Sequence, residues 1–282
     1  MGLIDHSSAA RPLALGDWAV HLSGPQWAVE PLARLLAALT IHGDDPGPLD
    51  LSISADGQTA QGMRDDRVLW SVTLPAKGWL GLLLGQVVAS CTALLNRLLF
   101  VHAGAVAIQG RGWILVGESG AGKTSTVARL VRQGAVYLSD EIAVLDPANG
   151  TVAPFAIPMA IKPWTAKAAG RLPRGSDVIR EGVTRFRLPV DRAAGPVPVQ
   201  GFVLLDHGQP PARLRPISRA QFLVAMAHHH SSLRHPHRLS DAFAGFGRLL
   251  RLAHCYQLAS PHPAAGADVV QAAARTGAAV IG

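Results

Sequence analysis

The chain has 282 residues, 49% of them hydrophobic and 16% charged, enough apolar material for a full core and for two domains. Its formal net charge of +7 is carried by arginine, because only Lys77, Lys123, Lys162 and Lys167 are lysines. No block of consecutive basic residues occurs, which argues against a nucleic-acid surface and leaves an acidic peptide or a nucleotide as the natural partner of the positive charge.

Residues 1 to about 12 read as a loose start. Asp5 and His6 come early and no apolar run precedes Pro12, so the reading expects no secretory leader and a cytoplasmic protein. Trp18 to Ser23 alternates like a strand, and Pro25 to Leu39 has the spacing of a helix. Turn residues crowd Gly43 to Pro48. Leu49, Leu51 and Ile53 then alternate, as do Val68, Trp70 and Val72, with a turn at Asp56-Gly57 between them. These predict a small α+β N-terminal domain over residues 1–98.

Trp79 to Phe100 holds a single charge, at Arg97, and could be mistaken for a membrane span. Gln86, Ser90, Asn96 and Arg97 interrupt it, so a core helix over about 78–98 is expected instead, with no membrane span. Cys91 and Cys255 lack metal-ligand spacing and read as buried free thiols.

From Leu99 the pattern changes to that of an α/β domain over residues 99–282. Leu99 to Ile108, Trp113 to Gly117, Ala135 to Leu138, Ile142 to Leu145 and Gly201 to Asp206 read as strands. Lys123 to Gln133 reads as a helix ended by Gly134, and Ser218 to His228, Phe243 to His254 and Gly266 to Ala274 as further helices. Proline and glycine are dense from Pro154 to Pro198, which predicts loops and short strands over an active site.

One stretch carries the chemistry. Gly117, Glu118, Ser119, Gly120, Ala121, Gly122, Lys123 and Thr124, followed by Ser125, spell G-x-x-x-x-G-K-[ST], with a strand-like run before and a helix-like run after. Glycines let consecutive backbone N–H groups point at phosphate oxygens, and the helix adds its positive end. Lys123 would reach the β/γ-phosphates and the Thr124 hydroxyl would ligate Mg²⁺. ATP and Mg²⁺ are therefore the expected cofactors.

Asp140 and Glu141 follow the run Ala135-Val136-Tyr137-Leu138. A strand returning beside the loop would bring both carboxylates to the γ-phosphate region, one to hold Mg²⁺ and one to accept a proton. His102 lies in Phe100-Val101-His102-Ala103-Gly104-Ala105, where a packed histidine and a functional one both fit. His228-His229-His230 with His235 and His237 reads as a solvated helix end, because consecutive helical histidines cannot converge on one ion.

Taken together, His102 to Ala107, Gly110 to Val116, the phosphate loop and Tyr137-Leu138-Ser139-Asp140-Glu141 resemble the HPr serine kinase/phosphorylase family. They are most similar to its shorter bacterial relatives in peptide-tailoring clusters, the lasso-peptide kinases included. The resemblance covers about residues 99–146. It implies a phosphate-loop domain of the HPr kinase and phosphoenolpyruvate carboxykinase type, and transfer of the γ-phosphoryl of ATP to a serine hydroxyl. It further implies that Asp140 is the catalytic base, Glu141 its neighbour near the metal, and His102 the active-site histidine. HPr kinases carry a second aspartate where this chain has Glu141, and their glycine-rich downstream signature is not found here. Lys162 resembles a lysine that approaches the phosphates or the substrate, and Arg185 is a candidate for offsetting charge on the transferring group. A peptide or protein serine is the expected acceptor, and assembly of several copies is compatible with the family. Two other readings stay open: a kinase of a small hydroxylated metabolite, and a nucleotide-driven accessory ATPase that switches a partner.

Overall fold

The structure, a computed structural model, describes residues 8–15, 18–37, 39, 47–95, 97–157, 159–160, 178–181, 183–186, 195–226 and 239–276. It is a mixed α/β protein that divides into two compact units, Met1–Asn96 with Ile179–Thr184, and Arg97–Val178 with Arg185–Gly282.

The first unit is a five-stranded sheet in the order β1-β2-β3-β4-β5: β1 (Ser8–Leu15), β2 (Trp18–Pro25), β3 (Leu49–Ile53), β4 (Thr59–Arg64) and β5 (Arg67–Thr73). The loose start expected near the N-terminus is a strand instead. Residues 8–15 pair with β2 along their whole length, Ser8 opposite Pro25 and Leu15 opposite Trp18. Pro12 and the alanines of β1 hide the alternation that marks a strand, and an edge position tolerates the missing N–H. Helix α1 (Gln26–Leu36) links the parallel pair β2 and β3 and buries Ala28, Val29, Leu32, Leu35 and Leu36 at helical spacing. Helix α2 (Trp79–Leu94) buries Leu80, Leu83, Leu84, Val87 and Cys91. Its Ser90 is buried too, where its hydroxyl accepts from Trp70 Nε1 at 2.9 Å and donates to the Gln86 carbonyl at 3.0 Å. Among the described residues no helix is long and apolar enough to cross a membrane.

The second unit is built on a nine-stranded sheet: β6 (Leu99–Val101), β7 (Gly104–Ile108), β8 (Arg111–Val116), β9 (Val136–Ser139), β10 (Ala143–Asp146), β11 (Thr151–Ala153), β15 (Val197–His207), β16 (Arg213–Pro216) and β17 (His254–Ser260). Outside these two sheets are three short strands, β12 (Met159–Ala160), β13 (Val178–Glu181) and β14 (Val183–Phe186), with Met159 opposite Phe186.

Part of the large sheet places the site. Strand β7 runs antiparallel to both β8 and β9, so β8 and β9 point the same way. On the other side β8 is parallel to β15, and β15 is parallel to β17. Along the order β9-β7-β8-β15-β17, four strands therefore end at one edge. Both faces of the sheet are covered. Ile114, Val116, Phe202 and Cys255 face α4 (Arg219–Met226) and α5 (Leu239–Leu252), while Trp113, Leu115, Val203 and Tyr256 face α3 (Lys123–Arg132) and α6 (Pro263–Thr276).

Two sequence expectations change here. The strand read as Leu99 to Ile108 is broken at His102-Ala103 between β6 and β7, and the helix read as ending at His254 ends at Leu252, after which β17 begins. Strand β17 alternates buried Tyr256, Leu258 and Ser260 with half-buried Gln257 and Ala259, but its small and polar residues blur that pattern in the sequence.

Candidate functional site

Strand β8 leads into residues 117–122, and α3 starts at Lys123. The loop turns on Gly120 (φ 91°) and Gly122 (φ 89°), conformations that a side chain disfavours. Helix α3 ends as the sequence suggests: Gly134 takes φ 95° and the N–H of Ala135 returns to the Leu130 carbonyl at 3.0 Å. Lys123 is only 8% exposed. Its ammonium donates to the carbonyls of Gly117 at 2.7 Å and Glu118 at 3.0 Å, and burial pushes its pKa below the ordinary lysine value.

The carboxylates arrive from β9. Ser139 holds their turn, its hydroxyl accepting from the N–H of Ile142 at 3.1 Å. Asp140 is 5% exposed, and the buried Tyr137 hydroxyl lies 2.9 Å from its Oδ1 and 2.7 Å from the Ile157 carbonyl. Burial first, and then the charge on Asp140, raises the Tyr137 pKa well above its ordinary value. The N–H of Ala103 donates to the Glu141 carbonyl at 3.1 Å, which ties the exposed His102 to the same turn.

These pieces meet in one cleft of about 460 Å³. It is lined by His102, residues 119–126, Asp140 and Glu141, and from the other side by Asp206, His207 and residues 260–263. Gly117 and Glu118 line an adjoining hollow with Leu204, Val224 and Ala225. The hydroxyl of Thr124 and the carboxylates of Asp140 and Glu141 form an all-oxygen donor set, which suits a hard cation such as Mg²⁺. Among the described residues no group of three or more His, Cys, Asp or Glu is disposed to hold a metal alone.

No family model matches the sequence, and no curated protein matches it. A solved structure is similar. It is the HPr(Ser) kinase/phosphatase from Coxiella burnetii, at 14% identity and a TM-score of 0.32, over 63% of this chain and 97% of that one. A likeness of that size assigns no reaction, and the site is read from its own residues.

Lys162 and the histidine-rich stretch at 228–237 lie outside the described residues. Arg185 sits opposite Ala160 in the β12–β14 pair, and its side chain lies outside the described residues. Asp206, His207 and Ser260 to Pro263 have no counterpart among the sequence candidates. Parallel pairing of β15 and β17 brings them to the cleft across long stretches of chain. The usable signal was that Gly201 to Asp206 is an apolar strand ending in a carboxylate.

Proposed function

We propose that this chain is an ATP- and Mg²⁺-dependent phosphotransferase of HPr-kinase type, which carries the γ-phosphoryl group to a serine hydroxyl of a peptide or protein. A ribosomal precursor peptide of the lasso kind is the leading acceptor class. One observation carries the reading: the 119–126 loop shares its cleft with a buried aspartate, a glutamate and a histidine delivered by other elements.

In this reading the loop N–H groups and the start of α3 cradle the triphosphate. Lys123 exchanges its two loop carbonyls for the β/γ-phosphate oxygens. Thr124, Asp140 and Glu141 would hold Mg²⁺, which would supply positive charge to offset that of the phosphates. Asp140 draws the proton from the incoming serine hydroxyl, and His102 lies at the mouth to orient the acceptor or the phosphoryl group.

The test is intact mass of candidate precursor peptides after incubation with the protein, ATP and Mg²⁺. One added phosphoryl group, absent with Lys123→Ala, is the expected result. Asp140→Asn should lower transfer by about 10²-fold or more while the affinity for ATP measured without Mg²⁺ stays within about threefold, since a general base acts in the transition state. Undiminished transfer by that variant would remove Asp140 from the role. ATP hydrolysis with no phosphorylated peptide would turn the reading toward a metabolite kinase or an ATPase switch.

A further inference from the structure

Resting on the nucleotide reading above, we propose that the nucleoside of the triphosphate lies over the carboxyl ends of β15 and β17, with Asp206 accepting hydrogen bonds from the ribose hydroxyls. The sheet order supplies the direction. Along the edge β9-β7-β8-β15-β17 the phosphate loop sits in the middle, Asp140 and Glu141 on one side, Asp206 and the Ser260–Pro263 turn on the other. Phosphoryl transfer runs in line, so the acceptor oxygen and the leaving diphosphate occupy opposite ends of the reacting phosphorus. With the proton-accepting carboxylate at the β9 end, the acceptor enters there. The diphosphate and its nucleoside then extend over β15 and β17. Crevices outside the carboxyl ends of parallel strands are the general ligand position in open α/β sheets.

The chemistry of this end suits a nucleoside better than a second anion. Asp206 would repel phosphate, whereas its carboxylate can only accept hydrogen bonds, and ribose hydroxyls donate them. The carboxylate is also aimed. Gln257 donates from Nε2 to Asp206 Oδ2 at 3.0 Å, and its own Oε1 is held by Arg215 through Nε at 3.0 Å. On the same side of the cleft, Pro261 and Pro263 add apolar rings of the kind a base packs against. Their turn is fixed: Ser260 Oγ donates to the His262 carbonyl at 2.8 Å, and His262 Nδ1 accepts from the N–H of Ala265 at 3.2 Å. That last bond leaves the imidazole proton on Nε2.

The experiment is calorimetric titration of the full chain, in Mg²⁺, with ATP, 2′,3′-dideoxy-ATP and inorganic tripolyphosphate. The wild-type chain should bind ATP about tenfold more tightly than the dideoxy analogue, the size of one charged hydrogen bond. Asp206→Ala should erase that preference and leave tripolyphosphate binding unchanged. Gln257→Leu, which keeps the carboxylate but frees it, should reduce the preference about threefold. The ligand comparison on the wild-type chain needs no variant to fold. Equal affinity of wild type for ATP and its dideoxy analogue would overturn the subsite. So would an equal loss of ATP and tripolyphosphate in Asp206→Ala, because Asp206 would then act on the phosphates or the cation. If wild type bound neither ATP nor tripolyphosphate, the nucleotide reading itself would fall, and the subsite with it.

Discussion

Tyr137 has one hydroxyl proton and two acceptors within reach, the Ile157 carbonyl at 2.7 Å and Asp140 Oδ1 at 2.9 Å. Both the ring and the carboxylate are buried, so neither contact is diluted by water. Whenever the proton is directed at Oδ1, the hydroxyl fixes where Asp140 points. Tyr137→Phe keeps the ring and removes the proton. We expect kcat to fall about tenfold with little change in the KM for ATP, since the lost interaction is one hydrogen bond to a charge. A general loss of structure would raise the KM for ATP as well, and an unchanged kcat would exclude Tyr137 from positioning the base. Lys123 shows the complementary situation, a buried cation whose pKa is lowered by burial and whose ammonium donates to two loop carbonyls.

The element that determines the loop's position is α3, and it approaches β7 closely. A Cβ placed on Gly104 would lie 2.6 Å from Val127 Cγ2, inside any normal contact distance. Gly104→Ala should therefore push α3 outward, destabilising the chain by about 1–3 kcal/mol and weakening ATP binding through Lys123 and Thr124. Val127→Ala in the same chain should recover part of both losses, which a double-mutant cycle by denaturant titration would measure. Additive effects would show that the two residues do not touch in solution. At this scale the legibility of the sequence also becomes clear. The unit β8–loop–α3 is local, and its glycines, lysine and helix end were readable at once. The turn after β9 was readable because two carboxylates follow an apolar run. His102 was noticed but placed inside a strand, whereas it sits in a break that the N–H of Ala103 stitches to Glu141. Strands β1 and β17 were missed because small and polar residues blur their alternation, alanines and Pro12 in the first and Gln257, Ala259 and Ser260 in the second. The far wall of the cleft was missed because only parallel pairing over long sequence separation assembles it.

At the scale of the whole molecule, each compact unit contains one free cysteine in its interior, Cys91 on α2 of the first and Cys255 on β17 of the second. Burial raises the pKa of both, that of Cys255 to about 11 and that of Cys91 further. The thiolate is the reactive form, so at neutral pH both groups are protonated as well as covered, and native protein should resist alkylation at either position. Unfolding removes both protections at once. Because the two thiols are embedded in different cores, each reports the opening of its own unit, and a chain of this organisation need not unfold in one step. Iodoacetamide pulses along a urea series, read by peptide mass, should therefore give two separate labelling midpoints, one per cysteine. Adding ATP and Mg²⁺ should move only the Cys255 midpoint to higher urea, since the cleft proposed to take the nucleotide is formed within the second unit and a ligand stabilises the state that binds it. Coincident midpoints that shift together would mean that the two cores unfold as one cooperative body. A shift confined to Cys91 would place the nucleotide in the first unit and contradict the site described above.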